Sequence, residues 1–175
     1  MAFQLCYYGN KILRKKCEEV KDFNDELRLF VKEMIETIDI SPNRIGLAAN
    51  QVGRLIRVFI IRPEVKTFSG EYVFSSCQVY INPSLSNPST EKEISLEGCL
   101  SFPGLYGEVK RPLSVHLDAY DELGHPFSED LSGFKARQVM HENDHLNGVL
   151  FIDRMEKEER SKIEQKLRQI KKKFR

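Results

Sequence analysis

The chain has 175 residues, of which 41% are hydrophobic and 30% are charged, and its formal net charge is +1. This composition is typical of one soluble globular domain and excludes disordered and fibrous proteins. The apolar runs are too short to cross a bilayer, and the N-terminus lacks the continuous apolar core of a signal peptide, so we expect a cytoplasmic protein without membrane contact. We also expect a single domain over residues 1–175 and a monomer.

The first predicted element is an amphipathic helix over residues 25–38, with apolar residues at helical spacing and Asn24 or Asp22 as its N-cap. The middle of the chain is rich in β-branched and aromatic residues, and it predicts antiparallel strands. These strands are expected at residues 57–61, 78–82, 91–96, 105–110 and 113–120, with a hairpin or loop over residues 66–76.

Two further helices are predicted after the strands. The first begins at Ser132 or Gly133 and ends at Asn147-Gly148, and the second begins near Arg154. Strands packed around a central helix, with a helix towards each end of the chain, predict an α+β fold.

The last segment, residues 154–175, holds ten Lys or Arg against four Glu, a net charge of +6 that leaves −5 for the rest of the chain. A basic C-terminal helix of this kind favours a polyanionic partner such as RNA. A solvated charged helix face needs no partner, however, and this alternative stays open.

The central helix carries the spacing H-E-x-x-H at His141, Glu142 and His145. Residues four apart lie on one helix face, so both imidazoles can bind one metal ion, and Glu142 can act as a base towards water. The alternative is a polar surface helix that happens to contain two histidines. Within the same segment, Asp144 could orient a ligand histidine or be solvated, and Arg111 could pair with Asp144 or Glu97.

Two segments upstream could complete such a site. Cys99, in Glu97-Gly98-Cys99-Leu100-Ser101, could offer a thiolate to the metal, although a lone cysteine is more often a small buried apolar residue. In Gly46-Leu47-Ala48-Ala49-Asn50-Gln51, small residues allow a close backbone approach, and the Gln51 amide could donate to an oxyanion. Alone, this second segment would favour a tight turn packed on a helix.

Together, the three segments resemble the peptide deformylases. That family carries a G-φ-G-φ-A-A-x-Q segment, an E-G-C-L-S segment and a Q-H-E-x-D-H segment, which correspond here to residues 44–51, 97–101 and 140–145. The resemblance extends over essentially the whole chain. The basic C-terminal helix is similar to that of the bacterial form, whose tail docks on the ribosome.

The resemblance implies a metal-dependent hydrolase that removes the N-formyl group from nascent peptides and releases formate. Cys99, His141 and His145 would bind one divalent ion, Fe²⁺ in many members, with Zn²⁺, Ni²⁺ or Co²⁺ as substitutes.

For catalysis, the resemblance implies that Glu142 is the general base and acid. It also implies that Gln51 and the backbone N–H of Leu100 stabilise the oxyanion.

The residues expected around the substrate depart from the family pattern. Arg44 stands where the family usually has Gly, and Met140 stands where it usually has Gln. We hypothesise that Arg44 narrows the entrance or binds a substrate carbonyl or carboxylate. The full set of expected substrate contacts is Arg44, Ile45, Gly46, Glu97, Gly98, Phe134, Arg137 and Gln138.

Helical spacing places Phe134, Arg137 and Gln138 towards the substrate, at positions where the family usually has an apolar pocket. Buried polar groups there would weaken binding of a methionine side chain. Two alternatives to a deformylase therefore stay open. One is a divergent metal amidase with another acyl or peptide specificity, and the other is a non-catalytic ribosome- or RNA-associated protein whose metal is structural.

Overall fold

A computed structural model describes residues 2–41 and 43–174. Over these residues the chain forms three α-helices, namely α1 (Asp25–Asp39), α2 (Gly133–Leu146) and α3 (Lys157–Lys173). The strands are β1 (Gly46–Ala48), β2 (Val58–Ile61), β3 (Glu64–Lys66), β4 (Tyr72–Phe74), β5 (Gln78–Ser86), β6 (Lys92–Gly98), β7 (Tyr106–Pro112), β8 (Ser114–Tyr120) and β9 (Pro126–Ser132). The predicted α+β class is confirmed.

The strands form one antiparallel sheet and two antiparallel ribbons. Five strands pair in the order β1-β2-β5-β8-β9, while β3 pairs with β4 and β6 pairs with β7. The β3–β4 ribbon is the hairpin expected around Ser69-Gly70, where Gly70 adopts a φ of 88°. Such a left-handed turn position favours glycine because a side chain would be strained there.

Helices α1 and α2 cover opposite faces of the five-stranded sheet. Along β2, Phe59 and Ile61 join the apolar cluster that contains α2, whereas Val58 and Ile60 join the cluster that contains α1. Because successive strand residues point to opposite faces, covering both faces buries all four. Asn24 caps α1, as predicted, by accepting a hydrogen bond of 3.0 Å from the N–H of Leu27.

Helix α2 lies at the centre of the fold. Ten of its fourteen residues are buried, since the sheet covers one side of the helix and other elements cover most of the rest. Its N-cap is Ser132 and its C-cap is Asn147, which agrees with the predicted bounds. The buried residues include the polar residues of the H-E-x-x-H motif, so partners for those groups must come from the protein.

The C-terminal helix packs on a third apolar cluster through one apolar face. Leu167 and Ile170 are buried there, and Ile163 and Phe174 pack partly buried against the cluster. The helix begins at Lys157 and not near Arg154, because the short 3₁₀ helix Phe151–Asp153 comes first. Across the described residues, each helix is too short or too polar to span a membrane.

The sequence analysis did not predict strand β9. Its sequence, PFSEDLS, contains four polar residues and a proline, and only Leu131 is fully buried. The strand forms because β8 offers it a free edge, along which seven residue pairs are in register. An edge strand with one solvated face lacks the apolar alternation that identifies a buried strand.

The packing of α3 predicts that substitutions on its buried face lower the free energy of unfolding more than substitutions on its exposed face. Leu167→Ala should lower the free energy of unfolding by about 2–5 kcal/mol, because it removes a buried side chain from a packed cluster. Arg168→Ala, at a side chain that is 80% exposed, should change it by less than about 0.5 kcal/mol. Urea unfolding of both variants measures this difference. Equal effects would show that α3 does not pack on the body in solution.

Candidate metal centre and active site

The two motif histidines meet a cysteine from a different part of the chain. His141 and His145 are one turn apart on α2, and Cys99 follows the end of β6. The Sγ of Cys99 lies 3.2 Å from Nε2 of His145. One donor atom from each of the three residues lies within 4.8 Å of the others. The predicted ligand set is therefore brought together at one point.

Glu97 orients the first of these histidines. Its Oε2 lies 2.9 Å from Nδ1 of His141, which directs the other ring nitrogen towards the ligand group. Burial alone would lower the pKa of His141, but contacts with Cys99 and Glu97 raise it above its usual range. Burial alone would raise the pKa of Glu97, but hydrogen bonds from His141 and Arg111 hold it well below its usual range.

Arg111 connects Glu97 to Asp144, so it forms both pairs that the sequence left as alternatives. Its Nε lies 2.6 Å from Oε1 of Glu97, its Nη2 lies 3.0 Å from Oε2, and its Nη1 lies 2.8 Å from Oδ2 of Asp144. Asp144 is buried and also binds Arg154. Asp144 therefore reaches His141 only through Arg111 and Glu97, and it is not simply solvated.

Glu142 has a buried carboxylate, one oxygen of which, Oε2, has no hydrogen-bond partner among the described residues. Burial raises the pKa of Glu142 to about 7, against the opposing effect of His141. A Cβ built on Gly46 would lie 2.3 Å from Oε1 of Glu142, so a larger residue at this position would force the carboxylate to move. The β1 backbone therefore approaches α2 as closely as the small residues of this segment predicted.

Gln51 lies in a short 3₁₀ helix, Ala49–Val52, that follows β1 directly. Its Oε1 accepts a hydrogen bond of 2.8 Å from the N–H of Ala48, which fixes the orientation of the amide because a backbone N–H can only donate. The amide Nε2 then faces Ser101 Oγ at 3.1 Å and Cys99 Sγ at 3.4 Å. The N–H groups of Gln51 are thus directed towards the ligand group.

A surface cleft of about 420 Å³ opens onto this group. Its volume is in the range of sites for small ligands and short peptide segments. The predicted residues that line the cleft are Arg44, Ile45, Gly46, Gln51, Gly98, Cys99, Leu100, His141 and Glu142. No acceptor for the backbone N–H of Leu100 is found in the part of the chain that the structure describes.

Three residues predicted to face the substrate do not line this cleft. Phe134 is partly exposed in the first turn of α2, away from the cleft lining. The amide of Gln138 donates 3.0 Å to the carbonyl of Arg62, and Arg137 donates to Glu97 and to two strand carbonyls. A family pattern could not indicate these partners, because both side chains are buried among polar groups that lie far away in sequence. Glu97 likewise lies behind His141 and not in the lining.

The N-terminal segment contributes to the cleft, which the sequence analysis did not predict. Leu5 and Tyr7 are among the lining residues. Two backbone hydrogen bonds bring the segment there, from Cys6 N–H to the carbonyl of Gln51 at 2.7 Å and from Tyr8 N–H to that of Ser101 at 2.9 Å. No local pattern in the sequence indicates these backbone contacts. Ser101, the partner of Gln51, was easier to find because it belongs to the same motif segment as Cys99.

The donor set fits a divalent transition metal. One sulfur and two imidazole nitrogens suit Fe²⁺ or Zn²⁺, and three protein ligands leave a position for a non-protein ligand in a four-coordinate site. Glu142, whose Oε2 has no hydrogen-bond partner among the described residues, lines the cleft onto which this donor set opens. This arrangement is typical of a catalytic site, since a structural site is closed by four protein ligands.

Comparison with known proteins gives a consistent result. A family model described as polypeptide deformylase matches residues 2–161. The chain is 40% identical over 160 residues to a peptide deformylase of Borreliella burgdorferi, a match that covers 91% of this chain and 92% of that protein. It is 43% identical over 149 residues to peptide deformylase 1 of Clostridium perfringens, covering 85% and 95% respectively.

The fold matches solved structures as well. A mutant of peptide deformylase 1B from Arabidopsis thaliana superimposes with a TM-score of 0.89 at 37% identity, covering 98% of this chain and 91% of that one. The family model and the relatives span most of the chain, including all three motif segments. The chain therefore belongs to the polypeptide deformylase family.

Proposed function

We propose that this protein hydrolyses the N-formyl group of the N-terminal methionine of nascent polypeptides and releases formate. The observation that supports this most directly is the buried Glu142 residue, which lines the same cleft as Cys99 and His141, two of the three residues whose donor atoms converge. The membership of the chain in the polypeptide deformylase family supports the same reaction.

We propose Cys99, His141 and His145 as the ligands of one divalent ion, with Fe²⁺ as the native metal and Zn²⁺, Ni²⁺ or Co²⁺ as substitutes. Such an ion would supply a Lewis acid for the formyl carbonyl and for water. The pair formed by Glu97 and His141 fixes which imidazole nitrogen faces the ion.

In this proposal, Glu142 moves the protons. It accepts a proton from the attacking water and returns one to the amine nitrogen as the C–N bond breaks, so that formate and a free N-terminus leave. A carboxyl group whose pKa is near 7 can perform both steps at neutral pH. Gln51 and the N–H of Leu100 donate hydrogen bonds to the formyl oxygen as negative charge develops on it, and one such donor contributes about 3–4 kcal/mol in enzymes of this kind.

Three broader proposals accompany this one. The chain acts as a single domain and as a monomer in the cytoplasm. Its basic C-terminal segment, residues 154–175, contacts the ribosome. The exposed lysines of α3 support this contact because they lie opposite the face that Leu167 and Ile170 bury. Arg175 lies outside the described residues.

Anaerobic purification in Fe²⁺ or Ni²⁺ followed by formate release from a formyl-Met tripeptide tests the proposed reaction. A panel of other formylated and acetylated peptides tests its specificity. Release from formyl-Met peptides above all others supports a deformylase. Faster release from another acyl group supports a divergent amidase, and no release with metal bound supports a structural metal.

Glu142→Ala should retain metal but lose turnover, because the carboxylate touches the reacting water and is not a ligand. We expect kcat to fall by about 10²–10⁴, which is the usual contribution of a general acid–base group. Glu142→Gln, which keeps the size of the side chain, is the matched variant. Metal content and formate release measure the two properties separately. A variant that loses metal and turnover together would contradict the assigned role.

Gly46→Ala should act through Glu142 alone. Its Cβ would lie 2.3 Å from the carboxylate, so we expect the side chain of Glu142 to move and kcat to fall at least tenfold with metal retained. A double-mutant cycle provides the measurement, because Gly46→Ala should add almost nothing in a Glu142→Ala background. Additive losses would instead indicate a separate disruption of β1.

Arg44 is the residue for which we propose a role in binding the substrate. It lines the cleft, and its Nη1 donates 2.8 Å to the carbonyl of Thr37 in the last turn of α1, which holds the guanidinium in place. A helix C-terminus favours such a cation. The rest of the guanidinium is available to a substrate carbonyl or carboxylate.

Arg44→Gly should raise KM for a formyl-Met tripeptide with a free C-terminal carboxylate by about fivefold, which corresponds to roughly 1 kcal/mol for a partly exposed charged contact. The KM for the matched C-terminal amide should change less, and Arg44→Lys should retain most of the difference. Steady-state kinetics on the two peptides measure this. Unchanged activity in Arg44→Gly would exclude any role in binding.

A further inference from the structure

Arg137 occupies an unusual position behind the ligand group. It precedes His141 by four residues on α2, so the two side chains lie on the same helix face. Its side chain is only 7% exposed. Its Nη1 donates 2.9 Å to Oε1 of Glu97 and 2.9 Å to the carbonyl of Val109, while its Nη2 donates 2.9 Å to the carbonyl of Glu93. One guanidinium therefore joins α2 to both strands of the β6–β7 ribbon.

This contact adds a second guanidinium to the Glu97 carboxylate, which Arg111 already binds. Its Oε1 accepts from Nε of Arg111 and from Nη1 of Arg137, and its Oε2 accepts from Nη2 of Arg111 and from Nδ1 of His141. Arg111 belongs to β7, whereas Arg137 belongs to the same helix as the histidine. Within the described residues, Arg137 therefore connects the carboxylate to α2 directly, in addition to the contact that His141 itself makes.

The fork geometry of arginine is required for this arrangement. Three acceptors on different residues lie around one planar group, and a lysine ammonium cannot reach all three from the same backbone position in that geometry. The two buried guanidinium groups of Arg111 and Arg137 also balance the two buried carboxylates of Glu97 and Asp144. The formal charges of these four side chains therefore balance one another, and His141 adds a further contact to Glu97.

We propose that Arg137 is a positioning residue for the metal centre: it fixes Glu97, and through Glu97 it holds the ring of His141 ready for the ion. This inference rests on the metal site of the proposed function but not on the substrate. A residue that only attached α2 to the ribbon would affect stability without affecting the ligands. Metal affinity and the geometry of the ligand field distinguish these two roles.

The test compares Arg137→Met with Arg57→Met. Arg57 also binds α2, through the side chains of Asn143 and Asn147, and it donates to the carbonyl of Pro83, but it does not contact Glu97. The Kd for Zn²⁺ is measured by competition with a chromophoric chelator, and the visible spectrum of the Co²⁺-loaded protein reports the ligand geometry. Thermal unfolding of the metal-free proteins measures stability.

We expect Arg137→Met to weaken Zn²⁺ binding by about 10–100-fold, the usual effect of losing an outer contact to a metal ligand, and to shift the Co²⁺ bands. Arg57→Met should lower the unfolding temperature. It should leave the Kd for Zn²⁺ within about twofold of the unmodified protein's value and the Co²⁺ bands in place, because Arg57 acts outside the ligand shell. Arg137→Lys should bind Zn²⁺ with intermediate affinity.

Unchanged Zn²⁺ affinity and Co²⁺ spectrum in Arg137→Met would overturn the proposal, whatever happens to stability. If that variant does not fold, Arg137→Lys decides the question, because unchanged metal readouts would show that Glu97 is placed without the fork. If the unmodified protein binds Zn²⁺ but releases no formate, that result counts against the proposed reaction. The metal readouts of the Arg137 variants would still decide this inference.

Discussion

The fold depends on burying charged side chains of helix α2 beside partners of opposite charge. Helix α2 brings Arg137 and Asp144 into the interior, where an isolated charge would cost several kcal/mol. Glu97 and Arg111 supply partners from the β6–β7 ribbon. If the ribbon moved away from α2, these buried charges would lose their partners. The contacts that allow the helix to be buried therefore also place its ligands.

A second constraint is the close approach of the main chain on the other side of the metal centre. Gly46 leaves room for the Glu142 carboxylate, and Gln51 is oriented by the N–H of Ala48 only three residues earlier. The N-terminal segment then binds the carbonyls of Gln51 and Ser101 through its backbone. Backbone geometry therefore holds Glu142 and Gln51, the proposed general base and amide donor, so larger side chains at the small positions would displace them.

The sequence predicted what depends on local spacing. Helical periodicity predicted α1, start and stop residues predicted the bounds of α2, and the four-residue spacing of His141 and His145 predicted two donors that the structure brings together with Cys99. Contacts between segments that are distant in sequence were harder to predict. Arg137 was expected in the substrate pocket because helical spacing gives a direction but not a partner, and Glu93, Glu97 and Val109 attract the guanidinium elsewhere. Strand β9 was missed because its pairing with β8, and not its own composition, makes it a strand.

The position of Arg137 also changes which surfaces a peptide can contact. With Arg137 bound to Glu97 and two strand carbonyls, and Gln138 bound to the carbonyl of Arg62, α2 offers the cleft only His141 and Glu142. The apolar lining comes instead from the N-terminal segment, from Ile45 and from the loop that follows β6, and it includes Leu5, Tyr7, Leu100, Phe102, Leu105 and Tyr106. These segments are the apolar surface that the cleft offers to a methionine side chain in the proposed reaction. They are separate from the buried charge cluster behind His141, so a substitution in the loop can change the cleft lining without removing a member of that cluster.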